Sequence, residues 1–301
     1  MLLIISSDFC FFIILNVLYI KIKSIICKML QKLRNKILKK LSKKSNSDRF
    51  IKYTTSEAVI KFNMSTRPPH AYCFYNAVKL AKRLNYKSIS VIEFGVAGGN
   101  GLFFLELFAE QLSKEFNIDI EIYGFDLISG LPSPQDYRDL PYIFKKDLFP
   151  MNKDVLKNKL KKSIIVEGDV KNTTKDFFEK YNPAPIAFII NDLDYYSSTI
   201  NSFNIFYGDS KFYLPRIFCY FDDVLGDEIS MYCDYSGELL AISEFNETNK
   251  NKKILLNKNL VSSSKNHWRY QIYYYHDFLH PKYNDYVETD NQEDKGTFFH
   301  G

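Results

Sequence analysis

Residues 88–101 read Ser-Ile-Ser-Val-Ile-Glu-Phe-Gly-Val-Ala-Gly-Gly-Asn-Gly, and Leu-Phe-Phe-Leu-Glu-Leu-Phe-Ala follows at once from Leu102. Ser88–Phe94 is an apolar, β-branched run of strand length, and it predicts a buried strand. Leu102–Phe116 predicts a helix. Between them the chain must turn sharply, and four of seven residues there (Gly95, Gly98, Gly99 and Gly101) are glycine. Glycines permit a tight turn and close backbone approach to a ligand, while a helix N-terminus favours anionic groups. From Glu93 the spacing is acid-x-G-x-x-x-G-x-G, which differs from the G-x-G-x-x-G of dinucleotide-binding folds.

The same alternation extends downstream. Ile120–Phe125, Ile164–Val166, Ile186–Ile190 and Ile217–Phe221 read as further buried strands. Thr174–Tyr181, Ser197–Tyr207 and Gly237–Thr248 read as helices, with Tyr72–Leu84 as a lead-in helix. Strands alternating with helices imply a parallel sheet covered on both faces. Lys253–Leu256 and Trp268–Tyr275 are expected to form an antiparallel hairpin at the sheet edge, where Trp268 and Tyr273–Tyr275 pack. With 301 residues, 46% of them hydrophobic and 25% charged, the chain can bury a real core, which excludes wholesale disorder, collagen and coiled coil.

Acids recur at the strand ends. Asp126 follows the second strand, where a carboxylate can accept ribose hydroxyl hydrogen bonds. Asp192 and Asp194 follow the fourth strand, and Asp222 and Asp223 the fifth. In a doubly wound sheet all these ends face one crevice. Carboxylates gathered there repel one another unless a cation or a proton compensates, and Mg²⁺ takes oxygen ligands. Asp192, Asp222 and Asp223 are the candidate ligands and Asp194 the candidate base; the competing role for Asp194 is to cap the helix starting near Ser197. Arg67 or His70, in Thr66-Arg-Pro-Pro-His-Ala-Tyr72, stands where it can touch a carboxylate, unless Pro-Pro simply starts a helix.

The glycine frame resembles the first motif of class I S-adenosylmethionine-dependent methyltransferases. Together with Asp192-x-Asp194-x-Tyr196-x-Ser198-Thr199 and Asp222-Asp223, it resembles the macrocin O-methyltransferase family over roughly residues 67–280. Two features depart from that family: Asn191 replaces an apolar residue, and the segment before residue 67 lacks the usual N-terminal part. The resemblance implies a Rossmann-like α/β fold with a seven-stranded, mostly parallel sheet and helices on both faces. It implies Mg²⁺-assisted methyl transfer from S-adenosylmethionine to a hydroxyl of a small molecule, a sugar above all. The catalytic residues would be Asp192 and Asp194. The cofactor would lie against Glu93, Gly95, Gly99, Gly101 and Asp126, with Asp169 near the adenine. Two rivals stand beside this reading: a metal-dependent glycosyltransferase using Asp192-x-Asp194 as its D-x-D motif, and a non-catalytic, membrane-docked cofactor-binding module. Acceptor specificity is expected in the loops 132–152 and 226–236.

The charge is uneven. Residues 1–44 carry ten basic residues and one acid, leaving 30 basic and 34 acidic residues in the remainder. The body is therefore mildly acidic, and nucleic-acid binding by it gets no support. Residues 1–20 are almost wholly apolar, long enough just to span a bilayer with the body on the cytoplasmic side. Met29 reads equally as the start of a cytosolic chain. The basic amphipathic stretch 26–41 suits an anionic membrane surface, its own domain or a second subunit in a homo-oligomer. The organisation expected is an arm and linker over 1–48, a methyltransferase domain over 49–280 and a polar tail over 281–301. Five cysteines without C-x-x-C spacing indicate neither disulfides nor zinc, and reduced, core-filling thiols in the cytoplasm fit best.

Overall fold

The computed structural model describes residues 55–61, 65–262 and 266–288. The readings of residues 1–48 lie outside them. No helix among the described residues is long and apolar enough to cross a membrane.

Strand β1 (Ser88–Phe94) is buried along all but its first residue, as a strand covered on both faces must be. It pairs in parallel with β2 (Asp119–Asp126) on one side and β4 (Ile186–Asn191) on the other. The parallel array continues outward to β3 (Ile164–Glu167) and β5 (Tyr213–Phe221). The full order is β3-β2-β1-β4-β5-β7-β6, where β6 is Lys252–Leu256 and β7 is Ile272–Asp277. The expected seven-stranded, mostly parallel sheet is therefore present.

The hairpin differs in detail from its expectation. β7 inserts antiparallel between β5 and β6, so β6 alone is the edge. Tyr273 and Tyr275 are buried in the core, not on an edge strand. Trp268 through Gln271 belong to a 3₁₀ turn over His267–Gln271. Trp268 packs there with its ring 6.0 Å from that of Tyr72. Of the described cysteines, Cys73 and Cys219 fill the core, but Cys233 is exposed.

Helices α1 (Ser56–Lys61), α2 (Pro68–Arg83) and α3 (Asn100–Phe116) form one packed group. After α4 (Lys153–Lys159), helices α5 (Val170–Tyr181), α6 (Tyr196–Ser202) and α7 (Gly237–Thr248) form another, and α8 (Lys258–Ser262) is short. Both α3 and α5, from different groups, pack on β2, so helices cover both faces. Aromatic rings fill the interior: Phe206 stacks on Tyr275 at 4.1 Å between centroids, and Phe74, Phe108 and Phe188 cluster under α2. Full burial of such a side chain contributes about 1.5–3 kcal/mol. Glu106, on α3, closes the approach to β3 by accepting the backbone N–H groups of Lys161, Lys162 and Ser163.

Strand register aligns the carboxyl ends. Glu93 lies beside Gly124, Phe94 beside Asn191, and Asn191 beside Phe221. The strand order reverses between β1 and β4, and at such a switch point an open α/β sheet has its crevice.

Candidate active site

The glycine loop is fastened from the neighbouring strand. Asp126, at the end of β2, accepts Val96 N–H at 2.9 Å and Ala97 N–H at 3.0 Å on one oxygen. Its other oxygen accepts Ile128 N–H at 2.6 Å. Asp126 thus shapes the loop as well as facing the cavity. Gly95 has φ +83°, and a Cβ there would stand 1.8 Å from the Asp192 carbonyl oxygen, so glycine lets the β1 and β4 ends close together. A Cβ at Gly101 would stand 1.7 Å from Glu93 Oε1, so the start of α3 sits directly on that carboxyl. Gly99 faces another way. A Cβ there would meet Leu156 at 2.0 Å, so its bare side faces α4 rather than a ligand. Gly98 lines the cavity instead, with no atom nearer than 3.9 Å to a Cβ at that position. Asp169 lines the cavity too, and caps α5 by accepting Lys171 N–H at 2.8 Å.

Glu93 is buried, and its Oε2 has no hydrogen-bond partner. Burial pushes its pKa up to about 8, while the Arg67 guanidinium pulls it back. Arg67 lines the cavity just before Pro68-Pro69, which do begin α2. His70 touches no carboxylate among the described residues: it packs 4.7 Å from the Tyr220 ring, and burial pushes its pKa down to about 3.

The second end of the cavity is acidic. Ligand oxygens of Asp192, Asp222 and Asp223 lie within 4.8 Å of one another. Burial and then the charge of Asp222 push Asp192 upward, and burial followed by Asp222 raises Asp223 to about 7. Asp194 lines the cavity outside this trio, at φ +61°, and burial with the charge of Asp223 raises it to about 8. Its backbone N–H donates to Asp223 Oδ2 at 3.0 Å. It does not cap α6. That cap is Asp139, which accepts both the N–H and the hydroxyl of Ser197.

Sequence reasoning missed Asp139 and Glu238. Glu238 is fully buried at the start of α7 and accepts Asp223 N–H at 2.9 Å. Its signal was an acid opening the apolar run Leu239–Ile242. The Tyr220 hydroxyl donates to Asp222, and Gln271 donates to the Asp222 carbonyl at 2.8 Å, which fixes the β5 end.

One cavity of about 380 Å³ joins the two ends, from Gly98, Asp126 and Gly168 to Asp192, Asp194 and Asp222. Leu131, Pro132 and Phe149 give it an apolar wall. The glycine loop after β1, the acid after β2 and the antiparallel β7 placed between β5 and β6 occur together here. The chain has the Rossmann-like α/β fold expected of it, a seven-stranded, mostly parallel sheet with helices on both faces.

No family model and no curated protein matches the chain. Solved structures do. The O-methyltransferase NovP is 14% identical, with 69% of this chain and 79% of that one covered and a TM-score of 0.48. The calicheamicin methyltransferase CalS11 is 18% identical, with 81% and 91% covered and a TM-score of 0.47. The methyltransferase MycE, in complex with Mg, SAH and mycinamycin VI, is 14% identical, with 72% and 51% covered and a TM-score of 0.37.

The residues present fit both groups that the sequence resemblance implies, the cofactor and Mg²⁺. A buried acid with an orphaned oxygen and an open glycine face suit a cationic cofactor lying on the loop. Three converging carboxylates, of which Asp192 and Asp223 are pushed upward by burial and by the Asp222 charge, suit a hard divalent cation.

Proposed function

We propose that the protein is an S-adenosylmethionine-dependent O-methyltransferase acting on a hydroxyl of a small molecule, with a sugar as the acceptor class. The observation that carries this reading is the single cavity joining the glycine loop to the acidic trio. Glu93, Gly95, Gly98, Gly101 and Asp126 would hold the cofactor, and Asp192, Asp222 and Asp223 would hold Mg²⁺. When bound, the cofactor supplies a methyl group already activated on sulfur, and the metal supplies a Lewis acid that lowers the pKa of the acceptor hydroxyl.

The chain's own task is alignment and proton handling. Asp194, which lines the cavity, would accept the hydroxyl proton of the acceptor as the oxygen takes the methyl group that the bound cofactor supplies. Leu131, Pro132 and Phe149 would give the acceptor an apolar surface to rest on. The sugar preference rests on the motif resemblance.

The test is methyl transfer by the full chain from methyl-labelled S-adenosylmethionine, with Mg²⁺, to a panel of free, nucleotide-linked and aglycone-linked sugars. Label is expected on a sugar oxygen. Turnover of a nucleotide sugar with no methyl transfer would replace this reading with glycosyl transfer.

A further inference from the structure

We propose that Glu238 is a positioning residue for the candidate metal site: from helix α7 it holds the Asp223 backbone, and so sets the Asp223 carboxylate beside those of Asp192 and Asp222. The inference rests on the metal reading above and assigns a residue that the acids at the strand ends do not include.

The place of Glu238 in its helix is the first argument. Helix α7 buries Glu238, Ala241, Ile242 and Phe245, which stand at i, i+3, i+4 and i+7 and share one face. Burial alone selects an apolar side chain at each of these positions, and Ala241, Ile242 and Phe245 obey. Glu238 is fully buried nonetheless. The charges that act on it, those of Asp223, Asp192 and Asp222, are all negative. An acid in that setting costs the fold stability. Local breaches of this kind belong to functional sites.

Its contact says what the acid does. Glu238 Oε2 accepts the Asp223 N–H at 2.9 Å, in a buried place. Oε1 has no partner among the described residues. The polar engagement of the side chain is therefore with Asp223. That N–H lies in the first turn of the 3₁₀ segment Asp222–Val224, directly after β5, where backbone donors have no partner within the turn. Glu238 supplies the missing acceptor and ties this turn to α7.

The neighbouring bonds complete the frame. Asp223 Oδ2 accepts the Asp194 N–H at 3.0 Å, and Oδ1 stands 3.4 Å from the Tyr232 hydroxyl. Asp223 is thus held at its backbone by Glu238 and at its carboxylate by the turn after β4. Tyr220 and Gln271 fasten Asp222 next to it. A cation binds well to ligands already oriented, and groups that orient a ligand from behind govern metal affinity by about 10–100-fold.

The experiment is calorimetric titration of Mg²⁺, and separately of S-adenosylhomocysteine, into the full chain as wild type, Glu238→Gln and Glu238→Met, with metal-free thermal melts of each. The two variants match in length and differ in the acceptor: Gln offers the Asp223 N–H an oxygen, whereas Met offers none and suits the apolar helix face. Mg²⁺ affinity is expected to fall about tenfold or more in Glu238→Met and to stay within about threefold of wild type in Glu238→Gln. Both should melt cooperatively and bind S-adenosylhomocysteine within about twofold of wild type. Glu238→Ala repeats the test should Glu238→Met not melt cooperatively. Unchanged Mg²⁺ affinity in the variant without an acceptor would overturn the proposal, because Asp223 would then be held without Glu238. Equal loss in Glu238→Gln would overturn it too, because the charge and not the hydrogen bond would be the acting property. If wild type binds S-adenosylhomocysteine but no Mg²⁺, the metal reading falls and the positioning role with it.

Discussion

Asp139 reaches from the loop after β2 to Ser197, 58 residues away, and accepts its backbone N–H at 2.8 Å and its hydroxyl at 2.9 Å. The carboxylate is almost fully buried and also takes Gln135 N–H at 2.8 Å. One side chain thus fastens the cavity's outer loop to the helix that follows Asp192 and Asp194. Replacing it with alanine leaves three donors without their acceptor and removes a helix cap. The expected loss of stability is about 1–3 kcal/mol in denaturant unfolding. Asp139→Asn keeps a single acceptor oxygen and should lose less. Equal stability of wild type and Asp139→Ala would show that other groups cap α6.

Glu93 makes stability depend on pH. Its pKa is about 8 in the fold against an ordinary 4.5, so the folded state favours the protonated form. The stabilisation is complete below about 4.5 and is lost as pH rises through 8, because the folded chain holds a proton that the unfolded chain releases. The slope for one proton reaches about 1.4 kcal/mol per pH unit. Glu93→Gln lacks this dependence. The difference in unfolding free energy between wild type and Glu93→Gln should therefore fall between pH 4.5 and 8 and level off beyond. A constant difference across that window would mean that Glu93 is ionised in the fold.

Asp222→Asn keeps the shape of the trio and removes one charge. In wild type, Mg²⁺ should raise the melting temperature, since an ion that binds only the folded chain stabilises it. In the variant that rise should shrink severely, and methyl transfer should fall about a hundredfold or more, equivalent to roughly 2.7 kcal/mol of barrier. Affinity for S-adenosylhomocysteine, read by calorimetry, should change little. Full methyl transfer by wild type in excess chelator would remove the metal from the account.

The sequence revealed the parallel sheet because β1, β4 and β5 are buried on both faces, which forces nearly continuous apolar runs. It revealed the acids because they stand at the ends of those runs. The 3₁₀ turn over His267–Gln271 was misread as strand, since a stretch rich in aromatic residues carries strand propensity without alternation. Asp139 and Glu238 were invisible for another reason: each works through a partner far away in sequence, Ser197 and Asp223 respectively. Spacing places the glycines in one loop but does not say which way each bare Cα faces. Gly99 backs onto Leu156, whereas Gly98 lines the cavity.

S-adenosylmethionine is proposed to lie against the 95–101 loop, and Gly98 is the position that tests this. A side chain there has room in the protein itself and protrudes into the space the cofactor would use. The measurement is a calorimetric titration of S-adenosylhomocysteine into wild type and Gly98→Val, with thermal melts of both. One molecule is expected to bind per wild-type chain, with affinity reduced at least tenfold in the variant, about 1.4 kcal/mol, and cooperative unfolding retained. No binding by wild type, or equal binding by a folded Gly98→Val, would contradict it.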